Sequence, residues 1–271
     1  MRVLKMACLI GYTIPLTETL RGGTMLRPIL EWQVDAPVDA RYAVVMRMID
    51  KQDRVWAESD HEPQDGHLPT TMWLPGKSIG DQFELALPPT MPAGDYTLTL
   101  GLHKADEADL LPLFDLHGQN IGNEIKLQVL HVEKDKRAYT ASQLPIERPL
   151  FADMRELRFL GTTTLPATIR AEDVLPVGLY WRARQQPQQD YLFNVQLRDG
   201  NNRVAVEQSA RPANGTYPTT QWEAGEVLLD WLDLALNSLP PGRYRLWVAL
   251  VDSRTLLAIG ETAVAEIDVI R

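Results

Sequence analysis

The feature that most constrains this chain is an internal repeat, because its second half carries the same turn and aromatic residues as its first. Residues of one type recur at a spacing of 149 positions, and a single deletion then reduces the spacing to 148. The main pairs are Trp32 and Trp181, Trp73 and Trp222, Gly76 and Gly225, and Tyr96 and Tyr244. Agreement at so many tryptophans and glycines predicts two copies of one structural module.

The limits of the repeat predict the domain organisation. The first module spans residues 1–133 and the second spans residues 150–271. The segment 134–149 between them is charged and contains Pro145 and Pro149, a composition typical of a linker or an extended crossover.

Within each module, apolar residues alternate with polar ones, which is the period of a β-strand. In residues 191–198 every second side chain is apolar, beginning with Tyr191, whereas Asn194, Gln196 and Arg198 fall on the other side. Turn sequences such as residues 199–202 separate about seven strands in each module. The predicted fold class is therefore all-β, with two tandem immunoglobulin-like or fibronectin-like antiparallel β-sandwiches related by the repeat.

Charge and composition exclude several classes of partner. The net charge is −9, and 36 acidic residues stand against 27 basic ones, which argues against nucleic acid or anionic lipid. No apolar stretch is long enough to insert directly into a membrane, and we recognise no signal peptide. Cys8 is the only cysteine, so no internal disulfide forms, and we expect Cys8 to pack as a small apolar residue.

Motifs for catalysis or metal binding do not occur in the sequence. It contains no G-x-S-x-G, H-E-x-x-H or C-x-x-C pattern, and its five histidines lack the spacing of metal ligands. We therefore expect a protein that is not an enzyme and that needs no cofactor or metal. Asp81 and Asp230 recur in the repeat, and we expect both carboxylates to bond loop backbone. Asn214-Gly215 is interpreted as a turn.

The tryptophans are the candidate binding residues. The repeat and the alternation place Trp32 and Trp181 in the two cores, and we interpret Trp73 and Trp222 as plugs that close one end of each sandwich. Three tryptophans have no partner in the repeat, and two of them are predicted to point outward from their strands. The candidate ligand or partner surface comprises Trp247, Trp231, Trp56, Asn194 and Gln196.

Trp247 receives a more specific prediction. Its strand is expected to pair with the strand that holds Asn194, Gln196 and Arg198, so the ring should lie beside amide and guanidinium groups. That mixture suits a sugar, and it also suits packing against an arginine stem or the linker. An oligomer contact is a third possibility, and packing is the role we expect. Thr99 occupies this position in the first module, so a ligand site here would belong to the second module alone.

Several motifs together resemble a known type of module. They are Leu9-Ile-Gly-Tyr12, Leu30-Glu-Trp32, the segment from Gly66 to Gly76, Pro92-Ala-Gly-Asp-Tyr96, the segment from Leu110 to Gly118, and Ile121-Gly122. The chain resembles the β-sandwich segments that follow the transmembrane region of some bacterial multi-pass glycosyltransferases of the dolichyl-phosphate-mannose type. The resemblance implies an extracytoplasmic or cell-surface region, tethered through a longer parent protein. It carries no catalytic residue over, because the acidic residues of those enzymes lie between transmembrane helices.

Two functions stay open at this point. The first is a non-catalytic extracytoplasmic accessory or binding region of a membrane-bound, glycan-handling protein, with a glycan or another domain as partner. The second is a free-standing structural or adhesion module that binds proteins through sheet edges or faces.

Overall fold

The computed structural model describes residues 2–4, 6–16, 19–135, 137–237 and 239–271. It divides into two compact units, residues 1–135 and residues 136–271. The described residues form 21 strands and five short 3₁₀ helices. The all-β fold predicted from the alternation of apolar residues is confirmed.

The first unit contains three sheets. A six-stranded sheet has the order β11-β10-β1-β2-β4-β7, a four-stranded sheet has the order β12-β9-β5-β6, and β3 pairs with β8. The strands are β1 (Arg2–Leu4), β2 (Ala7–Thr13), β3 (Met25–Leu26), β4 (Ile29–Val34), β5 (Tyr42–Ile49), β6 (Val55–His61), β7 (Ser78–Gln82), β8 (Leu85–Ala86), β9 (Gly94–Lys104), β10 (Leu113–Phe114), β11 (Asn120–Gly122) and β12 (Glu124–Val132). The 3₁₀ helices are Pro63–Gly66 and Thr70–Met72.

The second unit contains two sheets, with the orders β13-β14-β16-β19 and β15-β21-β20-β17-β18. The strands are β13 (Arg148–Met154), β14 (Leu157–Thr162), β15 (Thr168–Arg170), β16 (Val174–Ala183), β17 (Tyr191–Arg198), β18 (Val204–Ala210), β19 (Val227–Ala235), β20 (Gly242–Asp252) and β21 (Ala258–Ile270). The 3₁₀ helices are Ala141–Gln143, Pro212–Gly215 and Thr219–Gln221. One pairing departs from the antiparallel expectation: β15 runs parallel to β21, because the chain crosses from one sheet to the other between β14 and β16.

Tryptophans occupy the core of each sandwich, as the repeat predicts. In the second unit Trp181 and Phe193 come from opposite sheets and stack with their ring centroids 4.6 Å apart. In the first unit the rings of Trp32 and Trp73 lie 6.0 Å apart. These three tryptophans and Trp222 are at most 3% exposed. Their large apolar area makes them a main source of stability in both units.

A loop with the same backbone geometry occurs in both units. Four of its residues have φ between 49° and 53°, namely Gln64, Asp65, Ala213 and Asn214. Oδ1 of Asp81 accepts a hydrogen bond from the N–H of Gln64 at 2.8 Å, and Oδ1 of Asp230 accepts one from the N–H of Ala213 at 2.9 Å. The prediction that these two aspartates bond loop backbone is confirmed.

Part of the segment 134–149, which the sequence analysis interprets as a linker, packs on the second unit. Arg182 donates a hydrogen bond to the carbonyl oxygen of Tyr139, and Leu144 is 7% exposed. The N–H of Glu147 donates to the carbonyl oxygen of Thr162 at 3.0 Å, immediately before β13 begins. These contacts hold part of the segment on the second unit, where the apolar side chain of Leu144 is buried, and its interpretation as a linker or an extended crossover stays a prediction.

Three further findings concern membrane crossing, metal binding and the single cysteine. No helix in the described part of the chain is both long and apolar enough to cross a membrane. Within the same part, no three His, Cys, Asp or Glu side chains are grouped as metal ligands would be. Cys8 is 8% exposed on β2, with its Sγ 3.2 Å from Oδ2 of Asp35, so it packs in the interior as predicted.

Candidate functional site

The three tryptophans without a repeat partner lie in three different sheets. Trp56 belongs to β6 in the first unit, whereas Trp231 and Trp247 belong to β19 and β20, in opposite sheets of the second unit. The sequence analysis grouped them as one candidate surface. The structure gives Trp231 and Trp247 separate surroundings, so each tryptophan must be considered by itself.

Trp56 stabilises a hairpin of the first unit. Its Nε1 donates a hydrogen bond to Oδ2 of Asp50 at 2.9 Å, and its ring meets the edge of Tyr96 at 6.0 Å between centroids. Oδ1 of the same aspartate accepts the N–H groups of Gln52 and Arg54 in the turn. Because the Nε1–H group and the ring of Trp56 both contact other side chains of the first unit, the structure does not support Trp56 as a ligand-binding residue.

Trp231 lies across a glycine of the neighbouring strand. Its register partner on β16 is Gly178. A Cβ atom added there would come within 3.0 Å of Cη2 of Trp231 and 2.7 Å of the side chain of Thr163. The glycine therefore provides the space into which the indole packs, and Trp231 covers its own sheet.

Trp247 has the neighbours that the sequence predicts. It lies directly opposite Gln196 where β20 pairs with β17. The guanidinium carbon of Arg198 lies 4.4 Å from the centroid of the indole ring. This distance is well within the range of a cation–π contact. One face of the ring is thus occupied by an arginine, and Trp247 stays partly exposed.

Arg198 is held in one orientation by charged and polar partners. Its side chain donates from Nη1 and Nη2 to the two carboxylate oxygens of Glu261, at 3.1 and 2.5 Å, and from Nε to Oε1 of Gln196 at 2.8 Å. Arg198 is only 8% exposed. A buried guanidinium needs such bidentate pairing to offset its desolvation. The pairing also fixes the cation over Trp247.

The amides beside Trp247 belong to the same network. Nε2 of Gln196 donates to Oε2 of Glu207 at 3.0 Å, and Nδ2 of Asn194 donates to Oγ of Ser209 at 2.8 Å. Asn194 is only 3% exposed. The prediction that Asn194 lies on an open ligand surface is therefore wrong, because side chains of the edge strand β18 cover it. Gln196 stays partly exposed.

A groove of about 380 Å³ lies beside Trp247. The turn between β17 and β18 contributes Asp199 and Asn202, β20 contributes Arg243 and Arg245, and β21 contributes Glu266. The volume lies at the lower end of the range of roughly 300–1,000 Å³ for ligand pockets.

The two arginines that β20 contributes to the groove are paired with carboxylates of β21. Nε of Arg243 donates to Oδ1 of Asp268 at 3.0 Å, and Nη2 of Arg245 lies 3.3 Å from Oε1 of Glu266. The hydrogen bond that Arg243 donates to Asp268, with the charges of Asp268 and Glu266, raises the pKa of Arg243. Positively charged guanidinium donors and negatively charged carboxylate acceptors therefore lie side by side at the groove.

The first unit has a groove at the equivalent position, with different chemistry. Its volume is about 300 Å³, and Thr99 stands where the second unit has Trp247. Arg47, at the position of Gln196, donates to Glu58 at 2.6 Å and lies 3.5 Å from Glu124. Glu124 also accepts a hydrogen bond from Thr99. Ion pairs therefore occupy this groove, and no aromatic side chain borders it.

Sequence reasoning found part of the groove and missed the rest. The alternation of side chains along β20 assigns Arg243 and Arg245 to the same side of the strand as Trp247. It gave no signal for Glu261 and Glu266, because their positions depend on the register between β20 and β21. That register shifts between Leu246 and Trp247.

No protein family matches this sequence, and no curated protein matches it. Among solved structures, the C-terminal domain of wzt aligns at 16% identity with a TM-score of 0.36, over 51% of this chain and 85% of that chain. Red sea bream transglutaminase aligns at 11% identity with a TM-score of 0.26, over 100% of this chain and 32% of that chain. Likenesses at this level assign no function, so the functional argument rests on the groove.

Proposed function

We propose that this chain is a non-catalytic carbohydrate-binding region and that the groove beside Trp247 is its binding site. The observation that carries the proposal is a partly exposed indole that borders a groove lined by arginine and carboxylate side chains. Sugars present apolar C–H surfaces together with many hydroxyl groups. An aromatic ring beside alternating donors and acceptors provides for both kinds of group.

The arrangement of the groove suits binding rather than proton transfer. Glu266, which lines the groove, is paired with Arg245, and Glu261, which lies outside the lining, is paired with the lining residue Arg198. A general acid or base must exchange a proton with its substrate, whereas a carboxylate paired with a guanidinium is placed to accept a hydrogen bond from a hydroxyl group.

The biological setting that we propose is the extracytoplasmic side of a membrane-bound, glycan-handling protein. The motifs that resemble the β-sandwich segments of bacterial multi-pass glycosyltransferases support this setting. The net charge of −9 supports a partner other than nucleic acid or anionic lipid.

Glycan-array screening followed by calorimetry on the complete chain tests the proposal. We expect wild-type protein to bind a defined set of oligosaccharides and Trp247→Ala to lose at least about tenfold in affinity, or about 1.4 kcal/mol. Thr99→Ala is the matched control, because it changes the equivalent position of the first unit. It should leave the affinity unchanged.

A second variant separates binding from stability. Trp247→Ala also removes the contact with Arg198, and we expect it to lose about 1 kcal/mol or more of stability. Trp247→Phe keeps an aromatic ring, so it should stay folded and retain most of the affinity. The proposal fails if no glycan binds wild-type protein, or if both variants bind as tightly as wild type.

The alternative, a structural or adhesion module, is favoured by the edge strand β18. This strand ends the sheet order of the second unit, and most of its side chains are exposed. An exposed edge offers unpaired backbone groups to a strand of another protein. A chain that binds no glycan but recognises a protein, and loses that recognition when Val206 is replaced by proline, would fit this function instead.

A further inference from the structure

The inference concerns the class of sugar and rests on the proposed function. We infer that the groove beside Trp247 selects uncharged glycans, whose hydroxyl groups meet paired arginine and carboxylate groups. We further infer that it disfavours glycans bearing carboxylate, phosphate or sulfate groups.

The charge balance of the groove is the first argument. Each arginine that lines the groove has a carboxylate partner at a distance between 2.5 and 3.3 Å. The pairs are Arg198 with Glu261, Arg243 with Asp268, and Arg245 with Glu266. Asp199 lines the groove as a further acid. Only Asp199 and Glu266 of these four carboxylates line the groove itself, but each of the three arginines has a carboxylate partner. An anionic ligand would therefore meet no unpaired arginine.

The second argument is that the side chain of Arg198 is held rigidly. Arg198 is more than nine-tenths buried, and three of its five N–H groups donate to Gln196 and Glu261. Breaking this pairing to reach an anionic ligand would leave Glu261 without its partner beside the indole. The arginine therefore cannot be recruited easily to bind an anion.

The third argument is that hydroxyl groups match this arrangement. A hydroxyl donates one hydrogen bond and accepts others, so it can lie between a guanidinium and the carboxylate paired with it. Adjacent hydroxyls of a sugar ring repeat this pattern along the groove, where Arg245 and Glu266 stand side by side. A neutral ligand satisfies the groups without separating any pair, which a carboxylate or phosphate cannot do.

The test compares three matched sets of oligosaccharides on the complete chain, namely neutral, uronic-acid-containing and phosphorylated. We expect the neutral set to bind at least about tenfold more tightly than its anionic counterparts. Its affinity should change little with ionic strength, because no net charge is neutralised on binding. Anionic sugars that bind as tightly as neutral ones, with an affinity that falls as salt rises, would overturn the inference. If no sugar of any set binds, the proposed function itself fails.

Glu261→Gln tests the charge balance directly. The change leaves Arg198 without its compensating charge while keeping the shape of the side chain, so the ratio of neutral to anionic affinity should fall by about tenfold. Glu124→Gln is the matched control in the first unit and should leave the ratio unchanged. An unchanged ratio in a folded Glu261→Gln variant would overturn the inference. If that variant does not fold, Glu266→Gln makes the same charge change at a side chain that is 53% exposed, with the same expected result.

Discussion

Three buried polar side chains differ in how their partners stabilise them. Arg198 has a carboxylate and an amide as partners. Asp81 accepts one backbone N–H, and burial raises the pKa of its carboxyl group. His103 is 8% exposed and has acceptors at both ring nitrogens, with Nε2 2.8 Å from Oδ1 of Asp60 and Nδ1 2.7 Å from the carbonyl oxygen of Glu107. Only an imidazolium ring can donate to both acceptors at once.

His103 predicts a pH dependence of the stability of the first unit. Burial alone would lower its pKa, but the hydrogen bond to Asp60 and those to the carbonyls of Lys104 and Glu107 outweigh burial and raise it above 6.5. A raised pKa in the folded state stabilises the protein fully below the unfolded value, and the stabilisation is lost as pH rises through the folded value. We expect the free energy of unfolding to fall as the pH rises above about 6.5, the ordinary pKa of histidine, through the raised pKa of the folded state.

The control for this prediction is His103→Gln, which keeps a hydrogen-bonding side chain but cannot titrate. Denaturant unfolding of both proteins across the same pH range isolates the contribution of the one imidazole. A parallel pH dependence in the two proteins would contradict the prediction. The second unit has Val251 at the equivalent position, so the unfolding transition of the second unit should not change over this pH range.

At the residue level, the sequence predicts on which face of a strand a side chain lies better than it predicts how exposed that side chain is. Alternation placed Trp247 on the outer face of its strand, because a strand has a period of two, and the structure adds the register that sets it opposite Gln196. It did not predict that Asn194 is buried, because burial depends on side chains of the neighbouring edge strand. Nor did it predict Glu261, which lies 63 residues after Arg198 and comes into contact only through the register of a bulged strand pair.

One glycine shows how closely β13 and β14 approach each other. Gly161 on β14 has φ of +143°, and an added Cβ would lie 2.1 Å from the carbonyl oxygen of Arg148 on β13. No side chain can be accommodated there without separating the two strands. The sequence did not signal this contact, because Arg148 lies within the segment 134–149 that was interpreted as a linker or an extended crossover.

Gly161→Ala should therefore destabilise the second unit by about 2–4 kcal/mol, from the close contact together with backbone strain. Gly200→Ala is the control, because a Cβ there meets no atom within 4 Å, and its effect should be small. Denaturant unfolding measures both changes. Equal stability of Gly161→Ala and wild type would show that β13 can move away from β14 at little cost.

Turns were easier to predict than the connection between the units. Asp199 closes the β17–β18 hairpin by accepting the N–H groups of Asn201 and Arg203, and the local sequence is sufficient to predict such a turn. The segment 139–147 has no comparable signal, since its contacts with Arg182 and Thr162 join residues distant in the sequence.

At the scale of the molecule, the two compact units predict two folding units. We expect fragments 1–135 and 136–271 to unfold cooperatively when they are expressed separately. A fragment 150–271, which begins where the repeat begins, should be less stable than 136–271 by about 2 kcal/mol or more, because it lacks the segment that packs on the sheet. Denaturant unfolding of the three fragments checks this. If fragments 136–271 and 150–271 are equally stable, the interpretation of residues 134–149 as a linker is supported.

The central claim is that the second unit, and not the first, carries a carbohydrate site beside Trp247. Hydrogen–deuterium exchange of the complete chain, with and without a saturating neutral oligosaccharide, locates bound ligand most directly. We predict slower exchange in peptides that cover residues 198–202 and 242–247, and unchanged exchange in the equivalent peptides around Asp53 and Thr99. Protection confined to the first unit, or no protection despite measurable binding in solution, would contradict the account.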